Sequence, residues 1–160
     1  HTALLIGAGE MIELAARHLH AQGLKRMIIA NRSLNRAQDL AIEFKASAIT
    51  LDALAEHLPQ ADIVISSTAS PVPVVTYEAA KAAVVARRRR PMFMLDIAVP
   101  RDIEARVAEL EDVYLYTIDD LKQVVDDNLR TRQEEAQEAR ALVSGEVERF
   151  QAVIDNDLAT

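Results

Sequence analysis

Short apolar runs recur along the first 118 residues of the chain, and they predict strands. An uninterrupted apolar run of four to six residues is typical of a strand that is buried on both faces of a sheet. Four runs are strong, at residues 3–6, 26–30, 62–66 and 92–96. Two runs are weaker, at residues 48–50 and 113–116.

Amphipathic stretches separate these runs. In the stretches 10–22, 33–44 and 76–88 the apolar side chains recur at helical spacing. The second and third stretches begin with Ser33 and Thr76, whose side chains are favoured as helix N-caps. Buried strands that alternate with helices predict a parallel sheet covered on both faces, and right-handed crossovers make such a sheet doubly wound.

The pattern changes at Asp119. From Leu121 to Ile154 apolar residues keep helical spacing for more than thirty residues. Residues 1–118 hold 13 basic and 14 acidic side chains, whereas residues 119–160 hold 5 and 11. We therefore expect a globular domain over 1–118 and a long acidic amphipathic helix over 119–160. The apolar stripe of that helix needs a second subunit or another domain, unless it is a frayed, solvated tail.

Composition excludes several classes of protein. The chain has 160 residues, 50% of them hydrophobic, with no Cys, 4 Gly and 5 Pro, which suits one ordinary domain rather than a disordered chain. Without Cys these residues have no disulfide, no thiolate metal site and no cysteine nucleophile. No apolar run approaches the roughly 20 residues that span a bilayer, so we expect a cytoplasmic protein. The four His residues show no ligand spacing with acidic residues, and no metal site is predicted.

The net charge of −7 argues against general nucleic-acid affinity. The run Arg87–Arg90 is an exception to the acidic balance. It is consistent with the solvated end of a helix, where cations favour the carboxyl-terminal dipole, or with a contact to phosphate or RNA.

A glycine motif follows the first predicted strand and opens the first predicted helix. In a dinucleotide site the first glycine allows a tight turn, the second lets the backbone approach the pyrophosphate, and the helix N-terminus offers free N–H groups. Ile12 stands where a third glycine is common, so the match is incomplete. The predicted pyrophosphate site comprises Gly7, Ala8, Gly9, Glu10, Met11 and Ile12.

The end of the second strand indicates which dinucleotide binds. An NAD site usually has an acidic residue there, about 20 residues after the glycines, to accept from the ribose 2′-hydroxyl. This chain has Asn31, Arg32 and Ser33 instead. Arg32 can pair with a 2′-phosphate while its neighbours donate hydrogen bonds, which favours NADP(H). The alternative interpretation is that Asn31 is a turn residue, Arg32 is merely exposed and Ser33 caps the next helix.

Two further loops follow strands at the edge where ligands bind in open α/β sheets. Ser67, Thr68 and Ala69 follow the fourth strand of the series, and their small side chains allow a ribose or nicotinamide to come close. Asp96 follows the next strand, where it can orient a neighbouring group or cap a turn.

These motifs together resemble glutamyl-tRNA reductase. The segments occur in that family's order along essentially the whole chain, and the last two are specific to it, whereas shikimate dehydrogenase shares the glycine motif. They are Gly7–Met11, Ala30–Ser33, Ser66–Ser70, Asp96–Asp102 and Tyr116–Leu121.

The resemblance implies an NADPH-binding domain and the start of a spinal helix, taken from a V-shaped homodimer. That enzyme reduces glutamyl-tRNA to glutamate-1-semialdehyde in tetrapyrrole synthesis, with a cysteine nucleophile and most tRNA contacts in other domains. We therefore expect a Rossmann-type doubly wound parallel sheet followed by a long C-terminal α-helix, which binds NADP(H) without turnover by itself. Two alternatives remain, a cofactor domain of a shikimate-dehydrogenase-like oxidoreductase and a non-catalytic module that interacts through its helix.

Overall fold

A computed structural model describes residues 1–143 of the chain. Its centre is one sheet of six parallel strands in the order β3-β2-β1-β4-β5-β6. β2 and β3 are added on one side of β1, and β4, β5 and β6 are added on its other side, as in a Rossmann-type doubly wound sheet. The predicted fold class is confirmed. The strands are β1 Thr2–Ile6, β2 Arg26–Asn31, β3 Ser47–Thr50, β4 Ile63–Ser66, β5 Met92–Asp96 and β6 Val113–Thr117.

Helices connect the strands on both faces of the sheet. Ser33 and Thr76 cap α2 and α4 as predicted, because their hydroxyl oxygens accept the backbone N–H groups of Arg36 and Ala79. Short 3₁₀ turns at Leu51–Ala53, Leu58–Gln60 and Ala105–Glu109 were not predicted from the sequence. The α-helices are α1 Glu10–Ala21, α2 Leu34–Phe44, α3 Leu54–His57, α4 Tyr77–Ala86 and α5 Ile118–Val143.

Two hydrophobic clusters hold the helices against the sheet. Alternate residues of β1 enter different clusters, because successive side chains of a strand point to opposite faces. Ala3 and Leu5 pack with α1 and α2 on one face, whereas Leu4 and Ile6 pack with α3 and α4 on the other. All four β1 side chains are fully buried, which explains why the run is apolar without alternation.

The arginine run after α4 differs from both sequence-based interpretations at its first residue. Arg87 is 2% exposed rather than solvated. Its guanidinium donates to Asp62 Oδ1 at 2.8 Å and to the carbonyl oxygens of Pro59 and Pro91 at 3.1 and 2.9 Å. The buried cation is therefore paired and hydrogen-bonded, and it ties the end of α4 to the start of β4. Residues 88–90 are exposed.

The chain divides into two units between Ile118 and Asp119. In the second unit α5 continues to Val143, and most of its described side chains are exposed. Leu129 of the predicted apolar stripe is 53% exposed. The part of the predicted helix beyond residue 143 lies outside the described residues, and the interpretation of this segment as the start of a spinal helix stays a prediction. Among the described residues, no helix is both long and apolar enough to cross a membrane.

Candidate functional site

Three of the predicted segments begin at neighbouring positions along the carboxyl edge of the sheet. Ile6, the last residue of β1, pairs with Ala30 of β2 on one side and with Ser66 of β4 on the other. The glycine turn, the end of β2 and the loop after β4 therefore leave the sheet side by side. This is the switch point of the strand order, where open α/β sheets bind their ligands.

Gly7 makes the first turn of the site possible. It is buried and has φ of +121°, a conformation that L side chains rarely adopt. A Cβ atom added there would meet the carbonyl oxygen of Ser67 and would lie 3.1 Å from Cγ1 of Ile12. The Gly7 N–H donates to Ala30 O at 2.7 Å, and the Ser67 N–H donates to Ile6 O at 2.9 Å. The turn is thus packed between the two neighbouring strands.

Ile12 replaces the third glycine of the general fingerprint without opening the turn. Its side chain is fully buried in the cluster formed by α1, α2 and the sheet. Because its Cγ1 atom would lie only 3.1 Å from a Cβ atom added at Gly7, the side chain packs close to the turn. The departure from the fingerprint therefore leaves α1 closely packed on β1.

Gly9 leaves the start of α1 open. It is the N-cap of the helix, has φ of −86°, and offers no side chain to cap the helix. An added Cβ atom would meet nothing within 4 Å, so the space above Gly9 is free. The N–H groups of the first helical turn have no intrahelical acceptor and carry the positive end of the helix dipole. A dinucleotide pyrophosphate fits this combination of free space and donors.

The end of β2 presents polar and basic side chains, of which Asn31 is half-buried and Arg32 and Ser33 are exposed. Asn31 Nδ2 donates to the backbone oxygen of Ser33 at 3.3 Å and so holds the turn. Ser33 Oγ accepts the Arg36 N–H at 3.4 Å, which leaves the hydroxyl proton free to be donated. Arg32 is exposed, and no acidic residue within 1–143 forms an ion pair with it in the structure. The sequence-based alternative of a turn residue and a cap is therefore also seen, and it is compatible with phosphate binding.

Arg36 is a candidate that the sequence analysis missed. It lies in the first turn of α2, is exposed, and has no ion pair with any residue that the structure describes. A cavity of about 250 Å³ between α1 and α2 is lined by Arg36, by Ala8 of the glycine turn, by Leu40 and by three acidic residues, Glu13, Asp39 and Glu43. The four-residue spacing from Arg32 was the available sign, because it brings a second cation to the start of the same helix.

The loop after β4 is fixed by a carboxyl group that the sequence analysis had quoted only as part of a motif. Asp102 is fully buried. It accepts hydrogen bonds from Ser66 Oγ at 2.7 Å, from the Thr68 N–H at 2.8 Å and from Thr68 Oγ1 at 2.5 Å. The Thr68 hydroxyl is thus directed to Asp102. Ser67 is half-buried and Ala69 is exposed.

Asp96 caps a turn, as one of its two interpretations stated. Its carboxyl oxygens accept the N–H groups of Ala98 at 3.1 Å and of Ile103 at 2.8 Å. The side chain is 1% exposed, so both oxygens are directed into the loop after β5. Asp96 therefore organises the segment that carries Asp102 instead of facing the open edge of the sheet.

Comparison with known proteins agrees with this geometry. The family model described as Shikimate / quinate 5-dehydrogenase matches residues 1–124, and the chain belongs to this family. Its fold is therefore of the dehydrogenase type, which supports a dinucleotide cofactor.

Named relatives point to one enzyme within this group. The chain is 58% identical to a glutamyl-tRNA reductase of Hahella chejuensis over 144 residues, which are 90% of this chain and 34% of that protein. The structure of glutamyl-tRNA reductase from Methanopyrus kandleri superposes with a TM-score of 0.75 at 37% identity, covering 98% of this chain and 39% of that one.

The nucleotide-binding domain of glutamyl-tRNA reductase from Thermoplasma volcanium shares the fold. Its TM-score is 0.65 at 19% identity, over 84% of this chain and 86% of that one. The resemblance to glutamyl-tRNA reductase is confirmed by these comparisons. The chain spans about a third of the length of the curated relatives that it matches.

Proposed function

We propose that this chain binds NADP(H) as the cofactor domain of a glutamyl-tRNA reductase. The observation that carries the cofactor assignment is the end of β2, where Arg32 is exposed beside the Ser33 hydroxyl and has no ion pair with any residue whose side chain the structure describes. A carboxylate at this position would repel a 2′-phosphate, whereas a guanidinium attracts it and can bind it through two N–H groups.

The pyrophosphate contacts are backbone contacts. The N–H groups at the start of α1 donate to the phosphate oxygens, and the free space at Gly9 lets them approach. Glu10 contributes only its backbone N–H, because its exposed carboxylate would repel a phosphate. Ala8, Met11 and Ile12 shape and support the turn.

The 2′-phosphate contacts come from side chains. Arg32 and Arg36 supply positive charge, and Ser33 donates its hydroxyl proton while its oxygen continues to cap α2. Asn31 holds the turn through the backbone oxygen of Ser33. Ser67, Thr68 and Ala69 line the other half of the dinucleotide, across the glycine turn from the end of β2.

When bound, the cofactor supplies a hydride to a carbonyl carbon of the substrate. The residues of this chain bind and orient it, and we assign none of them a catalytic role. In the proposed enzyme the substrate is glutamyl-tRNA, the product is glutamate-1-semialdehyde, and the active form is a cytoplasmic homodimer. The relatives that match 90% or more of this chain at 57–58% identity are named glutamyl-tRNA reductase, so the shikimate-dehydrogenase alternative is not favoured.

Calorimetric titration of the chain with NADPH and with NADH tests the proposal. We expect NADPH to bind more tightly by about 1–3 kcal/mol, the contribution of a hydrogen-bonded charge pair. A chain that binds NADH equally well does not read the 2′-phosphate. A chain that binds neither dinucleotide is not a cofactor domain.

A further inference from the structure

Asp102 is a buried acidic residue that has no role in the proposed cofactor contacts. It lies in the segment between β5 and β6 and has no exposed surface. Its two carboxyl oxygens accept three hydrogen bonds, from Ser66 Oγ, from the Thr68 N–H and from Thr68 Oγ1. Burial of a carboxyl group is unfavourable without such partners, and loss of the acceptor leaves buried donors unsatisfied. The conformation of residues 66–68 therefore depends on Asp102.

The backbone of Asp102 fixes the far end of the same loop. Its carbonyl oxygen accepts the N–H groups of Val74 at 2.6 Å and of Val75 at 3.0 Å. The next residue, Ile103, forms a bridge with Val75 and donates its N–H to Asp96 at 2.8 Å. The loop is thus held at both ends by one residue, which is itself anchored to β5.

Ser67 lies between the two residues that the Asp102 side chain holds. Its backbone oxygen is the atom that a Cβ on Gly7 would meet, so the loop packs directly on the glycine turn. Its hydroxyl makes no hydrogen bond with any residue of the described chain, although the residue is half-buried. A fixed backbone with an unused donor next to a dinucleotide turn is suited to contact the ligand.

We propose that Asp102 is a positioning residue for the nicotinamide half of the dinucleotide. It holds residues 66–70 so that Ser67 and Ala69 face the ligand, and it does not touch the ligand itself. This inference rests on the proposed function, because it assigns a role within the same cofactor site. The adenosine half is bound at the end of β2, on the other side of the glycine turn, and is independent of Asp102.

Substitution Asp102→Asn tests the inference by comparing the whole dinucleotide with its adenosine half. The asparagine has the same shape but only one acceptor oxygen, so the hydrogen bond from Thr68 Oγ1 is lost unless that hydroxyl turns to accept from the NH₂ group. We expect the variant to bind NADPH about tenfold more weakly, as for one lost hydrogen bond to a charged group. Its affinity for adenosine 2′,5′-bisphosphate should stay within about twofold of that of the unsubstituted chain. Titration calorimetry measures both ligands.

Thr68 provides a matched pair of variants that keeps the test independent of how Asp102→Asn folds. Thr68→Val removes the hydroxyl that donates to Asp102 and should lose NADPH affinity selectively, whereas Thr68→Ser keeps the hydroxyl and should retain it. The fluorescence of bound NADPH gives a second readout, since a displaced nicotinamide loses the emission change that accompanies binding. Thermal unfolding of each variant reports whether it is folded.

Two results would overturn the inference. Equal losses for NADPH and adenosine 2′,5′-bisphosphate would show that Asp102 supports the fold as a whole, and unchanged affinities would show that the loop does not contact the ligand. Both differ from failure of the proposed function, in which the unsubstituted chain itself does not bind NADPH.

Discussion

The proposed preference for NADP(H) depends on the charge of one residue, Arg32. We predict that Arg32→Glu weakens NADPH binding by about 1–3 kcal/mol more than NADH binding, because an attraction to the 2′-phosphate becomes a repulsion. Calorimetry with both cofactors measures the difference. Arg26→Glu is the matched control, since Arg26 is an exposed arginine at the opposite end of the same strand. Equal losses for NADPH and NADH in Arg32→Glu would show that this side chain does not read the phosphate.

At the scale of the element, we expect the two glycines of the turn between β1 and α1 to have different roles, Gly7 in folding and Gly9 in cofactor binding. Gly7 has a positive φ and no room for a side chain, whereas Gly9 has an ordinary φ and open space. We predict that Gly7→Ala destabilises the protein by about 1–3 kcal/mol through backbone strain, and by more through a steric clash. Gly9→Ala should cost less than about 1 kcal/mol of stability but weaken NADPH binding, because its methyl group enters the pyrophosphate space.

Urea unfolding and NADPH titration of the two variants together check this prediction. Each variant is the control for the other, because both add a single methyl group to the same turn. If Gly9→Ala bound NADPH as well as the unsubstituted chain, the pyrophosphate would not lie over the start of α1.

The sequence was sufficient to predict most of the strands and helices around this turn. β1 is an apolar run buried on both faces, β4 is an apolar run buried on one face and partly buried on the other, and Ser33 and Thr76 signal helix starts through their own hydroxyl groups, so the information is local. The 3₁₀ turns were missed because they lack a long periodic pattern. Asp102 and Arg87 were missed for a different reason. Their partners, Ser66 and Asp62, lie 36 and 25 residues away, and no local pattern reports which buried polar groups meet across the fold.

For the molecule as a whole, the partly buried pair of Asp62 and Arg87 links stability to pH. Burial raises the pKa of Asp62, but the hydrogen bonds from Arg87 and from the Thr2 N–H, together with the positive charge of Arg87, outweigh it and lower the pKa below its usual value. The unfolded chain therefore binds the proton more readily than the folded one. The stabilisation is complete above the usual aspartate pKa of about 3.9 and is lost as the pH falls through the lowered pKa of the folded state.

We predict that Asp62→Asn removes this dependence on pH. At neutral pH the variant should be less stable by about 1–3 kcal/mol, because Arg87 is then a buried cation that has lost its counter-ion but keeps its carbonyl acceptors. The difference in free energy of unfolding between the two proteins should stay constant from pH 7 to about 4 and shrink only at lower pH, as the pH falls through the lowered pKa of Asp62 and the unsubstituted chain alone loses an ionised Asp62. Urea unfolding at a series of pH values measures it. Asp39→Asn, at an exposed position of α2, is the control and should keep the original profile. A constant difference at every pH would mean that the pair stabilises the fold through shape and hydrogen bonding and not through its charge.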